Sequence, residues 1–589
     1  MEINSNLIHD IKKNNDEKNY YSVKGFSWNE KSVKESDVMN LQENLNLDKC
    51  IAKLAAARGI SSLNFNNFIN PKIKNLMPDP FVLDDMQKAT FKILELIKEN
   101  KKIGILGDYD VDGSSATALL CNFLNEINIP YEYYIPDRIN EGYGPNVNAL
   151  NNLKKKGCEL ILTLDCGITA ESSINKVSKE GIDIIILDHH KEANSLPNAF
   201  AIINPKKKKD TSGLDNLCAT GVVFFFIIAI NRELRKIKFF KKNSPNLLKY
   251  LDLVALATIC DLVKLDSLNR AFVKQGIKII NKSINIGINC LIENSSINQS
   301  INEYHLGFIL GPQINAGGRV GDSKLGVNLL TSNQKSISAI ISRKLYNFNK
   351  LRKTIEKKVE KEALKQIKDK NKSVICVHAE NWHPGVIGIV AARITEKFNM
   401  PSIVISEDNE ICLASCRSVK SYDIGELIID LVKEKILISG GGHKMAGGFK
   451  IKKSMINKLK LHLEKELCKD KQDSEKYFES ELNLSLINKK LFYSIESFSP
   501  YGIGNPKPKF IIKDCFIKYP KIVGDKHYSF FVEDSYGNRV KAISFNSVGT
   551  RIGEIIELCS VTKFLVVSLT LNKWAGEENV ELILEDIVI

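Results

Sequence analysis

The chain has 589 residues, with 83 Lys and Arg against 69 Asp and Glu, a formal net charge of +14 and 43% hydrophobic residues. That length predicts about three to five domains, and the balance of apolar and charged residues excludes wholesale disorder and a collagen-like fibre. The positive charge suits a polyanionic partner, although abundant Lys, Asn and Ile point to an AT-rich coding sequence that inflates Lys regardless.

The N-terminus is polar and lacks the apolar core of a secretory signal. Thirteen Cys, none in a Cys-x-x-Cys pair, read as reduced core thiols of a cytoplasmic protein and give no zinc site. Residues 1–85 form an N-terminal cap region with one amphipathic stretch, Asp48–Arg58. From about residue 101, apolar runs (IGILGDYD, YEYYIPDR, CELILTLDCG, IDIIILDHH) alternate with helical stretches such as Asn146–Lys156 and Thr169–Lys179. Continuous apolar strands alternating with helices predict an α/β domain over 86–270, its parallel sheet buried on both faces. The apolar run Ala219–Ile230 is shorter than the roughly 18–20 residues that span a membrane, and reads as a buried helix. Residues 271–370 read as a helical connector ending in a long, charged helix without Gly or Pro from about 330. A second α/β domain follows over 371–467, with a Gly-rich loop at 440–448, then a polar linker at 468–476. Short strands from 477 to 589 predict a small β-barrel.

Asp108, Asp110 and Asp112 put three carboxylates on alternate residues after an apolar strand. Such a cluster is costly unless a hard cation neutralises it. The spacing D-x-D-x-D-G also opens a calcium-binding EF-hand loop, but that loop needs Glu at its twelfth position, where Leu119 stands, and it follows a helix rather than a strand. Further donors close other strands: Asp165 after ILTLD, Asp188-His189-His190 after IDIIILD, and Asp261 within the apolar run LDLVALATICDLV. Singly, each has an ordinary reading as a helix cap, an ion pair or a structural His. Together they form a mixed carboxylate and imidazole set suited to two divalent ions, Mn²⁺ or Mg²⁺.

In order along the chain, GDYDVDG, TLDCG, the DHH triplet and TICDLV resemble the motifs of the DHH phosphoesterase superfamily. GPQINAGGR (311–319), NWHPGVIGIVAAR (381–393), ASCRSV (414–419), GGGHKMAGGF (440–449) and PYGIGNPKPKF (500–510) narrow the resemblance to RecJ, the bacterial single-strand-specific 5′→3′ DNA exonucleases. The resemblance runs from about residue 48 to the end. It implies a DHH domain, a DHHA1-type second α/β domain and a C-terminal OB-like barrel. It implies that Asp108, Asp110, Asp112, Asp165, His189 and Asp261 hold the metals, with Asp165 bridging. His190 would face the scissile phosphate, and Asp188 would orient its neighbours; with Asp165 these make up the catalytic set. Cys416, where RecJ proteins often carry Gly, and Thr220, in a turn usually built of Gly and Ala, depart from the pattern without removing a ligand.

Arg138 and Tyr143 in PDRINEGYG, Arg319, Ser415 and Arg417 lie in these motifs. A guanidinium binds phosphate bidentately as an ammonium does not, and the resemblance makes this group a pocket for the 5′-terminal phosphate and adjoining backbone. Gly441, Gly442 and His443 complete it, the side-chain-free glycines letting backbone N–H groups approach an anion. Read alone, each arginine could equally be a solvated surface group. Lys206–Lys209 reads as a solvated loop or a non-specific DNA contact, and Tyr501, Phe510, His527 and Trp574 read as barrel core or as base-stacking groups.

The resulting expectation is a cytoplasmic, metal-dependent exonuclease that degrades single-stranded DNA 5′→3′ to 5′-mononucleotides in repair and recombination, alongside single-strand-binding protein and a RecQ-type helicase and without a membrane. Two alternatives share parts of the pattern. A DHH phosphoesterase acting on short oligonucleotides has the same motifs but typically lacks the barrel. A non-catalytic DNA-binding scaffold loses acidic ligands that this chain retains.

Overall fold

The N-terminal region does not stand alone as a cap. In the computed structural model, which describes residues 20–138, 140–367, 374–465, 475–558, 563–574 and 576–588, the chain divides into two units. One lies within residues 76–471, and the other draws on both ends of the chain. At the N-terminal end, β1 (Tyr20–Tyr21), β2 (Ser27–Glu30), α1 (Glu35–Leu45) and α2 (Lys49–Ala56) belong to this second unit. Strands this short cannot bury a core of their own. Trp28 of β2 is instead buried with Phe478, Ile511, Val566 and Val588 from the far end of the sequence.

The larger unit begins with α3 (Met86–Lys98), β3 (Ile103–Gly107), α4 (Val111–Glu126), β4 (Tyr131–Tyr134), α5 (Val147–Lys155), β5 (Leu160–Leu164), α6 (Glu171–Ser178), β6 (Asp183–Leu187) and β7 (Ala201–Ile203). The strands form one parallel sheet in the order β4-β3-β5-β6-β7. Every residue of β3 and β5 is buried, as continuous apolar runs covered on both faces require. Gly107 lies opposite Leu164, and Leu164 opposite Leu187, so the residues that follow them leave the sheet side by side. The chain turns first to one side of β3 and then to the other, and such a reversal opens a crevice beyond the strand ends.

The apolar run forms the inner part of α7 (Ala219–Lys236), which with α8 (Leu251–Cys260) is buried in the unit. No described helix is long and apolar enough to cross a membrane. The segment expected as a connector also packs against the acidic loop that follows β3. In α9 (Gly311–Val320), Asn315 Oδ1 accepts from the Val111 N–H at 3.2 Å, and a side chain on Gly318 would meet Tyr109 Cβ at 3.1 Å. The long helix α10 (Lys335–Gln366) runs unbroken, burying Ser338, Ser342, Leu345, Asn349, Arg352 and Glu356 at three- and four-residue spacing.

The second sheet contains β8 (Ile375–Glu380), β9 (Ser402–Glu407) and β10 (Ile411–Arg417), with α11 (Pro384–Phe398) between the first two. After α12 (Ile424–Lys433), β11 (Ser439–His443) and β12 (Ala446–Lys452) complete the order β11-β12-β10-β9-β8. The Gly-rich segment expected as a loop is therefore a hairpin. Gly441 pairs with Gly448 and Gly442 with Gly447, and a side chain at Gly442 would fall 2.4 Å from the Ala446 carbonyl. Lack of side chains here serves close strand contact, and β11 remains an edge with one side of its backbone open.

In the smaller unit, β13 (Glu475–Phe478) pairs in parallel with β2, so Glu475 and Lys476 of the expected linker are strand; residues 466–474 lie outside those described. After β14 (Ser480–Glu481) come β15 (Phe510–Val523), β16 (His527–Asp534), β17 (Arg539–Ser544), α13 (Arg551–Leu558), β18 (Lys563–Trp574) and β19 (Glu577–Val588). The order β15-β16-β17-β19-β18, with β18 pairing back to β15, closes a five-stranded barrel of OB type. Its core of Phe510, Phe530, Leu565 and Leu582 is continuous with Val38, Leu41 and Leu54 of α1 and α2. Phe510 is thus core and cannot stack a base. Tyr501 donates to the Ile495 carbonyl at 2.6 Å, His527 Nδ1 accepts from the Asn546 N–H at 2.8 Å, and the Trp574 side chain lies outside those described. On the outer face, the Arg539 guanidinium lies 5.3 Å from the Tyr519 ring and 5.7 Å from that of Phe531, and the Lys518 ammonium 5.6 Å from Phe516.

Candidate metal centre and phosphate cleft

The acidic residues gather where the aligned strand ends release them. Asp108 follows β3. Asp110 caps α4, accepting from the Gly113 N–H at 3.0 Å, and Asp112 lies in the first turn, where the helix dipole favours an anion. Gly113 is required, because a side chain there would fall 2.6 Å from both Cβ and the carbonyl oxygen of Asp108. Asp165 follows β5 in the left-handed region, at φ +61°, a strained conformation for a residue with a side chain. Asp261 ends α8.

His189 Nε2 lies 3.4 Å from Asp165 Oδ1, 3.5 Å from Asp261 Oδ2 and 3.8 Å from Asp112 Oδ2. Donor atoms of Asp108, Asp110 and Asp165 lie within 4.8 Å of one another, as do those of Asp112, His189 and Asp261. Asp108 Oδ1, Asp165 Oδ1, Asp261 Oδ2 and both ring nitrogens of His189 are buried with no hydrogen-bond partner among the described residues. Unpartnered buried groups of this kind are expensive. Burial and mutual repulsion push the carboxyls of Asp108, Asp110 and Asp165 up and that of Asp261 to about 8, while burial drives the His189 imidazole down to about 4. A carboxylate set held against its own charge, with a neutral imidazole among it, is donor chemistry that suits hard divalent ions.

Asp188 is different. Its oxygens accept from the backbone N–H of Ile168, His189 and His190 at 3.0, 2.7 and 3.1 Å, and from His190 Nδ1 at 2.7 Å. Burial alone would raise this carboxyl, but the His190 hydrogen bond and charge, the Ile168 N–H and the His189 charge together outweigh it and hold it at about 2. Conversely, burial would lower the His190 imidazole, and Asp188 instead keeps it at about 9. Asp188 therefore spends its Oδ1 on His189 and His190, and by holding Nδ1–H it orients the His190 ring and leaves Nε2 free for a ligand. The Tyr143 hydroxyl donates to the Asp165 carbonyl at 2.9 Å and lies 3.2 Å from His190 Nδ1. That sets the Tyr143 hydroxyl between the backbone of Asp165 and the His190 imidazole.

Arg138, Arg319 and Arg417 come from three separate segments. The Arg138 guanidinium covers the Tyr109 ring at 5.0 Å. Arg319 donates to the Gly385 carbonyl at 3.2 Å, and burial with the nearby charges of Arg138 and Arg352 lowers it to about 10. Burial lowers Arg417 too, with Arg138 again adding repulsion. A side chain at Gly388 on α11 would fall 2.9 Å from Ser415 Oγ and 3.7 Å from Arg417 Nη2, so the glycine keeps open the space these two face. Alternation along β10 turns the intervening Cys416 into the core, and its departure from the usual Gly leaves the cleft untouched. Gly441 and His443 are exposed on the edge strand, and burial and the charges of Arg417 and Lys191 lower the His443 imidazole. Repelling cations converging beside carboxylates call for an anion between them.

Three participants were not singled out by the motifs. The Thr220 N–H and hydroxyl both donate to Asp112 Oδ1, at 2.8 and 2.6 Å, and the Ala219 N–H donates to Oδ2 at 2.6 Å. Asn315 supports the acidic loop through Val111. The Lys206 charge lowers both His189 and Asp261, whereas Lys207 is buried against Asp84 and Lys208 pairs with Glu192. Asn315 lies within the GPQINAGGR motif, Lys206 within a basic run, and Thr220 at a departure from the usual pattern, but none of these signals gave the contact each makes.

Residues 102–258 match the DHH family, N-terminal domain; residues 371–469 match the DHHA1 domain and residues 478–586 the RecJ OB domain. The single-stranded-DNA-specific exonuclease RecJ of Bacillus subtilis is 30% identical over 95% of this chain and 71% of its own length. That of Escherichia coli is 28% identical over 92% of this chain and 96% of its own. RecJ from Thermus thermophilus, solved in complex with Mn²⁺, shares the fold with a TM-score of 0.80 at 23% identity, over 95% of this chain and 79% of that one. A crystal structure of exonuclease RecJ bound to manganese matches with a TM-score of 0.57 at 28% identity, over 65% of this chain and 94% of that one. With three such domains in the same order and a relative aligned along nearly the whole chain, the protein belongs to the RecJ family of single-stranded-DNA-specific exonucleases.

Proposed function

We propose that the protein hydrolyses single-stranded DNA from the 5′ end and releases 5′-mononucleotides. One observation carries this reading: a buried, unpartnered set of carboxylates and imidazole opens into the space where Arg138, Arg319 and Arg417 repel one another. The first half suits divalent cations and the second suits phosphates. Mn²⁺ or Mg²⁺ would be held by Asp108, Asp110 and Asp165 on one side and by Asp112, His189 and Asp261 on the other; related RecJ structures carry these ions. When bound, such ions lower the pKa of a coordinated water and neutralise charge on the phosphoryl group.

The chain's own groups do the remainder. His190, protonated and held by Asp188 and Tyr143, donates to a non-bridging oxygen of the scissile phosphate. Arg417, Ser415 and Arg138 take the 5′-terminal phosphate, with Arg319 and the backbone of Gly441 and Gly442 beside the adjoining one. An end phosphate seated next to the metal ligands supports 5′→3′ polarity. The intact ligand set argues against a scaffold, and the closed barrel against an enzyme for short oligonucleotides alone. We place the enzyme in the cytoplasm, in repair and recombination. There single-strand-binding protein coats its substrate and a RecQ-type helicase exposes it.

The test is Mn²⁺-supported digestion of 5′-labelled and 3′-labelled single strands with blunt duplex alongside. Early release of the 5′ label as mononucleotide, with duplex spared, is expected. Early release of the 3′ label, or equal attack on duplex, overturns the reading.

A further inference from the structure

We infer that the solvent face of α10 is a second DNA-binding surface, a straight track for the phosphate backbone of single-stranded DNA beyond the cleft. The inference rests on DNA being the substrate proposed above. Arg343, Lys350, Lys353, Lys357, Lys361 and Lys365 are all exposed and recur at helical spacing along one face. At 1.5 Å per residue they span about 33 Å. None of the six forms an ion pair with a described residue.

The acids of the same helix are turned away from that face, each with an inward partner. Glu356 is buried between Arg352, 2.6 Å away, and Arg393. Glu360 lies 3.4 Å from Arg393, and Glu362 accepts from Trp382 Nε1 at 2.8 Å. Enrichment in lysine through base composition would scatter cations among free anions; here every acid of the helix is engaged by Arg352, Arg393 or Trp382, and the row of six is left without one. The sorting also has a cost, because like charges four residues apart, as at Lys353, Lys357, Lys361 and Lys365, oppose the helix. A bound polyanion removes that repulsion and releases counterions, which is how a non-specific phosphate surface binds. A rigid helix without Gly or Pro keeps the row straight.

The test replaces four of these cations, K350Q/K353Q/K357Q/K361Q, since Gln matches Lys in helix propensity. Affinity for a long single strand is measured by fluorescence anisotropy in EDTA across a salt series, with a tetranucleotide as cleavage substrate in Mn²⁺. The long strand should bind at least about tenfold more weakly at low salt, with the slope of log affinity against log salt shallower by about three, at roughly 0.7 per phosphate lost. Tetranucleotide turnover should stay at the wild-type value. An unchanged slope and affinity overturns the inference, and so does a weakening confined to duplex. A parallel fall in tetranucleotide turnover overturns it as a surface separate from the cleft. Should the quadruple variant lose its circular dichroism, Lys357→Gln and Lys357→Glu give the same readout singly, with the larger loss expected for Glu. Because binding is read in EDTA, a protein that cleaves no DNA would refute the proposed activity without touching this result.

Discussion

The Thr220 hydroxyl donates to Asp112 Oδ1 at 2.6 Å and lies 3.0 Å from the Asp112 carbonyl oxygen. With the N–H groups of Ala219 and Thr220, it pins a carboxylate of the acidic loop to the first turn of α7. A partner of this kind sets ligand orientation, and its loss typically costs at least about tenfold in metal affinity or activity. Thr220→Val keeps the shape and removes the donor. The Mn²⁺ concentration for half-maximal activity should rise roughly tenfold, and Thr220→Ser should recover it. Identical Mn²⁺ curves for Val and wild type would reduce Thr220 to a packing residue.

The unpartnered oxygens of Asp108, Asp165 and Asp261 give metal binding a stability readout as well as a kinetic one. Mn²⁺ should raise the melting temperature of the wild-type protein, and EDTA should reverse the change, because a ligand bound only to the native state stabilises it by mass action. Asp165→Asn or Asp110→Ala should abolish hydrolysis and sharply reduce the Mn²⁺ shift, while single strands still bind. Turnover within tenfold of wild type would sink the ligand assignment.

Arg417 faces the space kept open by Gly388. Arg417→Ala should impair cleavage of a 5′-phosphorylated strand more than of a 5′-hydroxyl strand. A charge-assisted contact is worth about 1.5–3 kcal/mol, roughly ten- to hundredfold. Equal losses on both ends would mean that Arg417 holds the backbone or the fold and does not read the terminus.

Away from the metal site, burial lifts the Asp252 carboxyl of α8 to about 7, although it accepts from the Leu253 N–H at 2.7 Å. A carboxyl raised on folding favours the native state below its unfolded value near 4, and that contribution is lost as pH climbs through 7. Asp252→Asn keeps the acceptor and removes the charge. Its melting temperature should exceed that of wild type at pH 8, and the gap should narrow steadily as pH falls toward 4, with an upper bound of roughly 4 kcal/mol at about 1.4 kcal/mol per unit. A variant no more stable at pH 8 would show that the protein accommodates this charge.

The local signals were the legible ones. Apolar runs ending in acids located β3, β5 and β6, and the parallel register made neighbours of Asp108, Asp165 and Asp188, as a ligand site at strand ends requires. The unbroken helix of α10 was visible in its composition, but not the inward turn of its acids, which depends on Arg393 and Trp382 from another element. Gly440–Gly442 looked like a loop because glycine signals turns and close strand contact alike. Tyr143 shares its motif with Arg138, and no spacing foretells that its hydroxyl meets the Asp165 carbonyl and His190 Nδ1. The pairing of β2 with β13 bridges opposite ends of the chain, beyond the reach of any periodicity.

That pairing alters how the barrel should be removed. Cutting at Lys471 alone would leave Trp28 without Phe478, Ile511, Val566 and Val588, and strip Val38, Leu41 and Leu54 of the barrel core they share. A 1–471 fragment should therefore aggregate through newly exposed apolar surface, whereas residues 76–471 contain every proposed ligand and a compact unit of their own. The 76–471 fragment should stay monodisperse and cleave when DNA is in excess. It should bind long strands more weakly and release them sooner, having lost the outer barrel face where Arg539, Tyr519 and Phe531 offer stacking and charge. Its affinity should also fall less steeply with salt, since fewer phosphates are contacted. Size-exclusion profiles of the two fragments, with processivity and a salt series on the shorter one, check each step. Unchanged affinity and processivity in 76–471 would make the barrel and its N-terminal strands a scaffold and refute their role in holding DNA.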